Sequence, residues 1–259
     1  KFTDAFAGEL WTTDTASELA TQVAAMETLI GNGASNSEII EEARDVKKAI
    51  DAAQKGEASK QFSEGLRPWK DVDTTSDWFA GAAFKVKDSG IMKGDGASGY
   101  TELKPASETN RAEAVVMAAR AAGIEDLGKG KTPTSRVGQG MPDWAKSAAA
   151  ALEARGVNLD SILKGGADGS ITRGEASVLV AESLNLEATS DSAANNFKDS
   201  NKFDPSLTRA AAALYENGIM TGYGKGSALE GQLGVDQPFL RAELAKVIVE
   251  AQGVAEVMK

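Results

Sequence analysis

Apolar residues recur every three or four positions in the first fifty residues of the chain. Two such series are present: Leu19, Val23, Met26 and Ile30, then Ile39, Ala43, Val46 and Ile50. This spacing places the apolar side chains on one face of an α-helix. Gly31 and Gly33 lie between the two series and favour a helix end there. The pattern therefore predicts a helical hairpin within residues 1–60.

From Trp69 onward the chain repeats a longer pattern. An Arg-x-Glu triplet occurs three times, and each opens a run rich in alanine and aliphatic residues: Arg111–Glu113, Arg173–Glu175 and Arg241–Glu243. Upstream of the three triplets stand Gly90, Gly156 and Gly218, each at the place where a left-handed residue is expected to end a helix. Each unit is predicted to be a helix, a glycine-rich loop and a second helix. Because two helices cannot bury both their faces alone, we expect the units to pack around a shared axis.

The amino-acid composition excludes several kinds of functional site and ligand. The 259 residues include neither cysteine nor histidine, which excludes a disulfide framework, a zinc–thiolate site and a Ser-His-Asp triad. The net charge of -10 argues against nucleic-acid binding, which depends mainly on cations. No apolar run approaches the roughly 20 residues of a membrane-spanning helix, so no membrane span is expected.

No motif in the sequence indicates catalysis or a cofactor. Gly130-Lys131-Thr132 resembles the end of a P-loop, but Pro133 follows where a helix should continue. Asp95 and Asp168 lie in glycine-rich loops without the Asp-x-Asp-x-Asp-Gly pattern of a calcium loop. We therefore predict a protein that is not an enzyme and has no cofactor, with calcium left open although no motif supports it. A hydrolase is kept as a third hypothesis, after the two non-enzymatic functions that are described at the end of this section.

The ordered motifs of the three units resemble the S-layer homology repeat. Its pattern runs Phe-x-Asp-Val, Trp, Gly-Ile, Gly-x-x-Asp-Gly and Thr-Arg-Ala-Glu. The matching residues of the first unit are Trp69-Lys70-Asp71-Val72, Trp78, Gly90-Ile91 and Asn110-Arg111-Ala112-Glu113. Those of the second are Trp144, Gly156 and Ile171-Thr172-Arg173-Gly174-Glu175, and those of the third are Phe197-Lys198-Asp199, Gly218-Ile219, Gly222-Tyr223 and Leu240-Arg241-Ala242-Glu243.

The resemblance implies a mainly α fold in which the N-terminal hairpin precedes a pseudo-threefold bundle. The predicted domains are an N-terminal helical segment over 1–60 and S-layer-homology-like repeats over 69–123, 140–186 and 197–253. Members of this family commonly bind pyruvylated secondary cell-wall polymers, and others bind envelope polysaccharide in bacteria with an outer membrane. The implied protein is secreted and lies at the cell surface or in the cell envelope.

The resemblance also implies which residues bind the polymer. A sugar that carries a carboxylate suits a guanidinium fork and an aromatic face. The candidate polymer-binding residues are Arg111, Glu113, Arg173, Glu175, Arg241, Glu243, Trp78 and Trp144. Two alternatives stay open: the Arg-x-Glu triplets form structural ion pairs or capped first turns, and the tryptophans pack in the core or between repeats. The alternative function is a self-assembling structural subunit of an S-layer, sheath or extracellular filament.

Overall fold

The computed structural model describes residues 21–22, 24–29, 31–32, 46, 69–73, 76–94, 96, 99 and 101–257. Residues 24–29 are helical, but most of the predicted N-terminal hairpin lies outside the described residues. The chain divides into two compact units, Lys1–Lys85 and Val86–Lys259. In the first unit the buried Trp69 indole donates from Nε1 to the carbonyl oxygen of Ala83 at 2.7 Å.

The prediction of a mainly α fold is confirmed. Helices α1 to α8 are Ala80–Asp88, Arg111–Ala121, Arg136–Gly140, Asp143–Ala154, Leu159–Ile162, Arg173–Leu184, Pro205–Glu216 and Arg241–Val257. Short 3₁₀ turns cover Glu125–Gly128, Asp191–Asn196 and Ser200–Lys202. Where segments of the described loops meet side by side, they form isolated β-bridges.

Three helices form the core of the second compact unit, Val86–Lys259. Helices α2, α6 and α8 contact one another pairwise. Each of the three helices has a fully buried alanine: Ala119, Ala176 and Ala245. Small side chains let helix backbones approach closely, so three helices share one narrow core. The other two long helices of this unit lie outside: α4 packs on α2, and α7 packs on α6.

Glycines follow the ends of α1, α4 and α7, as the sequence predicts. Gly90, Gly156 and Gly218 have φ values of 71°, 98° and 66°, which is the left-handed region. A residue with a Cβ adopts this region only at a free-energy cost. The predicted left-handed helix ends are therefore confirmed, and the chain turns at each one into the loop that precedes the next core helix.

Candidate functional site

The structure brings the three Arg-x-Glu triplets together in one closed ring. Each arginine contacts the glutamate of the following triplet, and the last arginine contacts the glutamate of the first. The pairs are Arg111–Glu175 at 3.1 Å, Arg173–Glu243 at 3.1 Å and Arg241–Glu113 at 2.9 Å. We call these six residues the Arg–Glu ring. It joins the first turns of α2, α6 and α8 in cyclic order.

Backbone hydrogen bonds follow the same cycle. Just before the core helices, Thr109 N donates to Phe239 O at 2.9 Å, and Phe239 N donates to Ile171 O at 3.0 Å. Ile171 N closes the circle by donating to Thr109 O at 2.8 Å. Because buried backbone groups must be paired, this closed set fixes where each core helix begins. It therefore also fixes the backbone position of each ring arginine, which is the first residue of its helix.

Each ring glutamate accepts hydrogen bonds from two partners, a backbone N–H of its own helix start and an arginine of another helix. In the first core helix, Glu113 Oε2 accepts from the backbone N–H of Asn110 at 3.2 Å, which forms a capping box. Its Oε1 accepts from Arg241 Nη1 at 2.9 Å. Thr172 forms the same box with Glu175 in α6. The carboxylate thus caps its own helix while it neutralises the arginine of another.

Each ring arginine also donates to a carbonyl oxygen of the loop that it faces. Arg173 Nε donates to Leu233 O at 2.8 Å, and Arg241 Nε donates to Leu103 O at 2.7 Å. Arg111 Nη1 donates to Asp168 O. These bonds connect every core helix to a neighbouring glycine-rich loop. Each ring arginine thus contacts a glutamate side chain of another helix and a backbone carbonyl oxygen of a loop.

The surroundings of the three guanidinium groups differ. That of Arg173 lies between two aromatic rings, 4.5 Å from the centroid of Tyr223 and 4.7 Å from that of Phe239. Burial raises the pKa of Tyr223, and the nearby Arg173 opposes that shift in part. The guanidinium of Arg111 instead lies against glycines. A Cβ on Gly165 would stand 2.5 Å from Arg111 Nη2, so this loop leaves room only for glycine there.

The ring residues are largely shielded from solvent. The side chains of Arg111, Arg173 and Arg241 are 12%, 8% and 10% exposed. Shielded, charge-paired guanidiniums hold the units together, which agrees with the structural alternative drawn from the sequence. Their role in binding polymer stays a prediction.

The two candidate tryptophans lie on the surface. Trp78 is 60% exposed and packs edge-on against Phe79, with ring centroids 5.3 Å apart. Trp144 is 59% exposed in the first turn of α4. Of the alternatives for both tryptophans, packing in the core is therefore wrong. Each indole offers a solvent-facing ring of the kind on which a sugar stacks, although polymer binding by either stays a prediction.

Asp199, which was not predicted to be a site residue, holds one of the loops that contact the Arg–Glu ring. Asp199 is buried, and its carboxylate accepts from the backbone N–H groups of Leu233 at 2.7 Å and Gly234 at 2.9 Å. It thereby fixes the loop whose Leu233 carbonyl oxygen receives Arg173. The Phe-Lys-Asp motif at residues 197–199 is the signal that could have revealed it.

Among the described residues, no group of three or more acidic side chains is arranged to hold a metal ion. In the same part of the chain, no helix combines the length and the apolar character required to cross a bilayer.

Residues 196–245 match the family model of the S-layer homology domain. No curated protein matches the chain. The matched segment contains Asp199, Tyr223 and the Arg241–Glu243 triplet of the ring. The match supports an S-layer homology domain in this chain and, with it, a place at the cell surface or in the envelope, where such domains anchor proteins to cell-wall polymers.

Proposed function

We propose that this protein is a secreted, non-enzymatic cell-surface protein that binds an anionic cell-wall or envelope polysaccharide, pyruvylated polymers included. The observation that carries this proposal is the S-layer homology match over residues 196–245. In this proposal the segments 69–123 and 140–186 are two further, diverged repeats of the same kind.

The Arg–Glu ring supports the three-repeat reading. Arg111, Arg173 and Arg241 occupy the first position of their helices and make the same two kinds of contact, one to a glutamate and one to a loop carbonyl oxygen. Chance similarity of three short motifs would not produce a closed set of equivalent contacts. Units that share a core in this way form one binding body rather than three separate ones.

Surface features support binding of a sugar polymer. The exposed indole of Trp144 presents an apolar face that suits the C–H face of a pyranose ring. Lys146, which pairs with Asp143 at 2.7 Å, lies in the same first turns of α4. An exposed aromatic beside a charged pair provides stacking and hydrogen bonding together, and both are needed to hold a charged sugar.

The test is co-sedimentation of the purified protein with envelope sacculi from the bacterium that produces it. Hydrofluoric acid treatment removes polymers that are attached through phosphodiesters and gives a matched control. We expect the protein to sediment with untreated sacculi and to remain in solution with treated ones. Equal sedimentation with both would show that the attached polymer is not the ligand. Absence of sedimentation with untreated sacculi would refute the proposed function.

The alternative of a self-assembling structural subunit is favoured by one observation. In the second unit, Leu127 and Trp144 are large apolar side chains that are about half exposed or more. Exposed apolar side chains of this size suit a contact between copies. Light scattering over a wide concentration range, with and without divalent cations, separates the functions: the anchor stays monomeric without polymer, whereas the subunit forms large assemblies.

A further inference from the structure

The Arg–Glu ring leaves little positive charge for an anionic ligand. Arg111, Arg173 and Arg241 are each paired with a glutamate, and their side chains are almost covered. A charge that is already paired and desolvated attracts a further anion only weakly. A polysaccharide anion near the ring therefore needs a cation that lies outside it.

Lys198 is an exposed cation whose two neighbours in the chain are both buried. Phe197 precedes it and is 1% exposed. Asp199 follows it, and its carboxylate accepts from backbone N–H groups of the loop over residues 222–234, which we call the junction loop. Because both neighbours are anchored inside the second compact unit, Lys198 is held in a defined position at the surface beside this loop.

The side chain of Lys198 extends along the junction loop. Its backbone N–H donates to Gly231 O at 2.9 Å. A Cβ on Gly231 would lie 2.9 Å from Lys198 Cε and 3.3 Å from Nζ, so the end of the lysine lies against this glycine. Gly231 N in turn donates to Tyr223 O at 2.9 Å. The ammonium group therefore lies at the part of the loop that pairs with Tyr223, whose half-buried ring stacks on Arg173.

Acidic side chains around the junction loop are bonded to other groups. Glu230 accepts from a backbone N–H at the tip of the loop at 2.9 Å, and Asp199 accepts from N–H groups near its end. Asp236 pairs with Lys202 at 3.9 Å. Within the described part of the chain, Lys198 Nζ forms neither an ion pair nor a hydrogen bond. In contrast to the ring arginines, it keeps a charge that no carboxylate compensates.

The motif that contains Lys198 occurs once more in the chain. Trp69-Lys70-Asp71 has the same order as Phe197-Lys198-Asp199, and here too the aromatic residue is buried and the lysine exposed. The corresponding position of the second predicted repeat is Pro142. An exposed lysine thus follows a buried aromatic residue in two of the three predicted repeats, although neither contact of the Arg–Glu ring involves it.

We propose that Lys198 recognises the charge of the polysaccharide, because its ammonium group binds a carboxylate or phosphate group of the polymer at the junction loop. A lysine ammonium is a compact point charge with three donors, which suits either anion. This inference rests on the proposed function and names the residue that distinguishes a charged polymer from a neutral one.

The experiment compares three variants of the full chain in binding to untreated envelope sacculi. K198M removes the charge but keeps the apolar stem, K198R keeps the charge, and K225M removes another exposed lysine of the same loop as a matched control. We expect K198M to bind at least about fivefold more weakly, and K198R and K225M to stay within about twofold of the wild type. The Tm of K198M should stay within about 2 °C of the wild type, since the lysine is exposed.

A second set of sacculi identifies the anion. Their carboxyl groups are converted to neutral amides with a carbodiimide and ethanolamine. If Lys198 binds a carboxylate, this treatment weakens the wild type to the level of K198M and leaves K198M unchanged. If Lys198 binds a phosphate, the difference between the wild type and K198M persists on the treated sacculi.

The outcomes separate the inference from the proposed function. If the wild type binds untreated sacculi and K198M loses less than about fivefold, Lys198 is not the recognition residue, although the proposed function stands. If K225M or K198R weakens binding as much as K198M does, the specific charge of Lys198 is not the cause and the inference is overturned. If the wild type does not bind, the proposed function fails and the inference fails with it.

Discussion

Breaking the Arg–Glu ring at Arg173 should destabilise the whole second unit. The change Arg173→Met keeps most of the length of the side chain but removes the guanidinium. It deprives Glu243 Oε1 and Leu233 O of their donor and removes the contact with the rings of Tyr223 and Phe239. Loss of one partner from a buried ion pair typically costs about 3–5 kcal/mol.

The lower end of that range applies here, because the side chain of Glu243 is 22% exposed and water replaces part of what it loses. We therefore expect the free energy of unfolding to fall by about 3 kcal/mol. For a unit of this size that corresponds to a Tm lower by about 6–12 °C. Urea unfolding monitored by circular dichroism measures the free energy, and calorimetry measures the Tm.

A double-mutant cycle assigns the loss to the pair. Combining Arg173→Met with Glu243→Gln should destabilise the protein by less than the sum of the single changes, since each alone leaves a charge without its partner. Lys129→Met is the matched control, because Lys129 pairs with Asp126 in full solvent and its loss should not change the Tm measurably. A loss below about 1 kcal/mol for Arg173→Met, or additive single changes, would refute a stabilising ring.

Three further changes test other parts of the structure. Asp199→Ala should lower the free energy of unfolding by about 3 kcal/mol in a urea titration, since it leaves buried backbone donors unpaired, and a loss below about 1 kcal/mol would contradict this role. Thr109→Val should raise the Tm, since the buried Thr109 hydroxyl has no hydrogen-bond partner among the described residues and its removal is worth about 1 kcal/mol; a lower Tm would show that the hydroxyl is paired. Burial raises the pKa of Glu153, but the hydrogen bonds from Ser135 and Thr134 outweigh it and hold the pKa below the ordinary 4.5. The stability from these bonds is present above pH 4.5 and lost as the pH falls through the lowered pKa, so Glu153→Gln should lose less stability than the wild type between pH 6 and pH 3, and equal losses would contradict the pKa shift.

The helix starts of the ring were predictable from the sequence. Thr172 and Glu175 have the spacing of a capping box, and the structure contains that box. The glycines that end the preceding helices have the predicted left-handed conformation. These features depend on residues within one turn of each other, so a short stretch of sequence contains the information they need.

The pairing within the ring was not predicted, although helix geometry limits it. Arg111 and Glu113 are two residues apart, and side chains at that spacing point to different sides of a helix. Neither can therefore satisfy the other, and each must find a partner on another element. The structure pairs Arg111 with Glu175 and Glu113 with Arg241. Which neighbour supplies which partner depends on the direction of the cycle, and nothing local in the sequence encodes that direction.

Departures from the repeat have physical reasons that only packing reveals. Gly174 stands where the other triplets have alanine, and a Cβ there would lie 2.9 Å from Cγ1 of Val235. The second core helix therefore approaches the last loop more closely than its counterparts could. Tyr223 lies over the neighbouring Arg173, and a Cβ on Gly234 would collide with the ring of Tyr223. A repeat that looks degenerate in sequence is thus adjusted to the loop against which it packs.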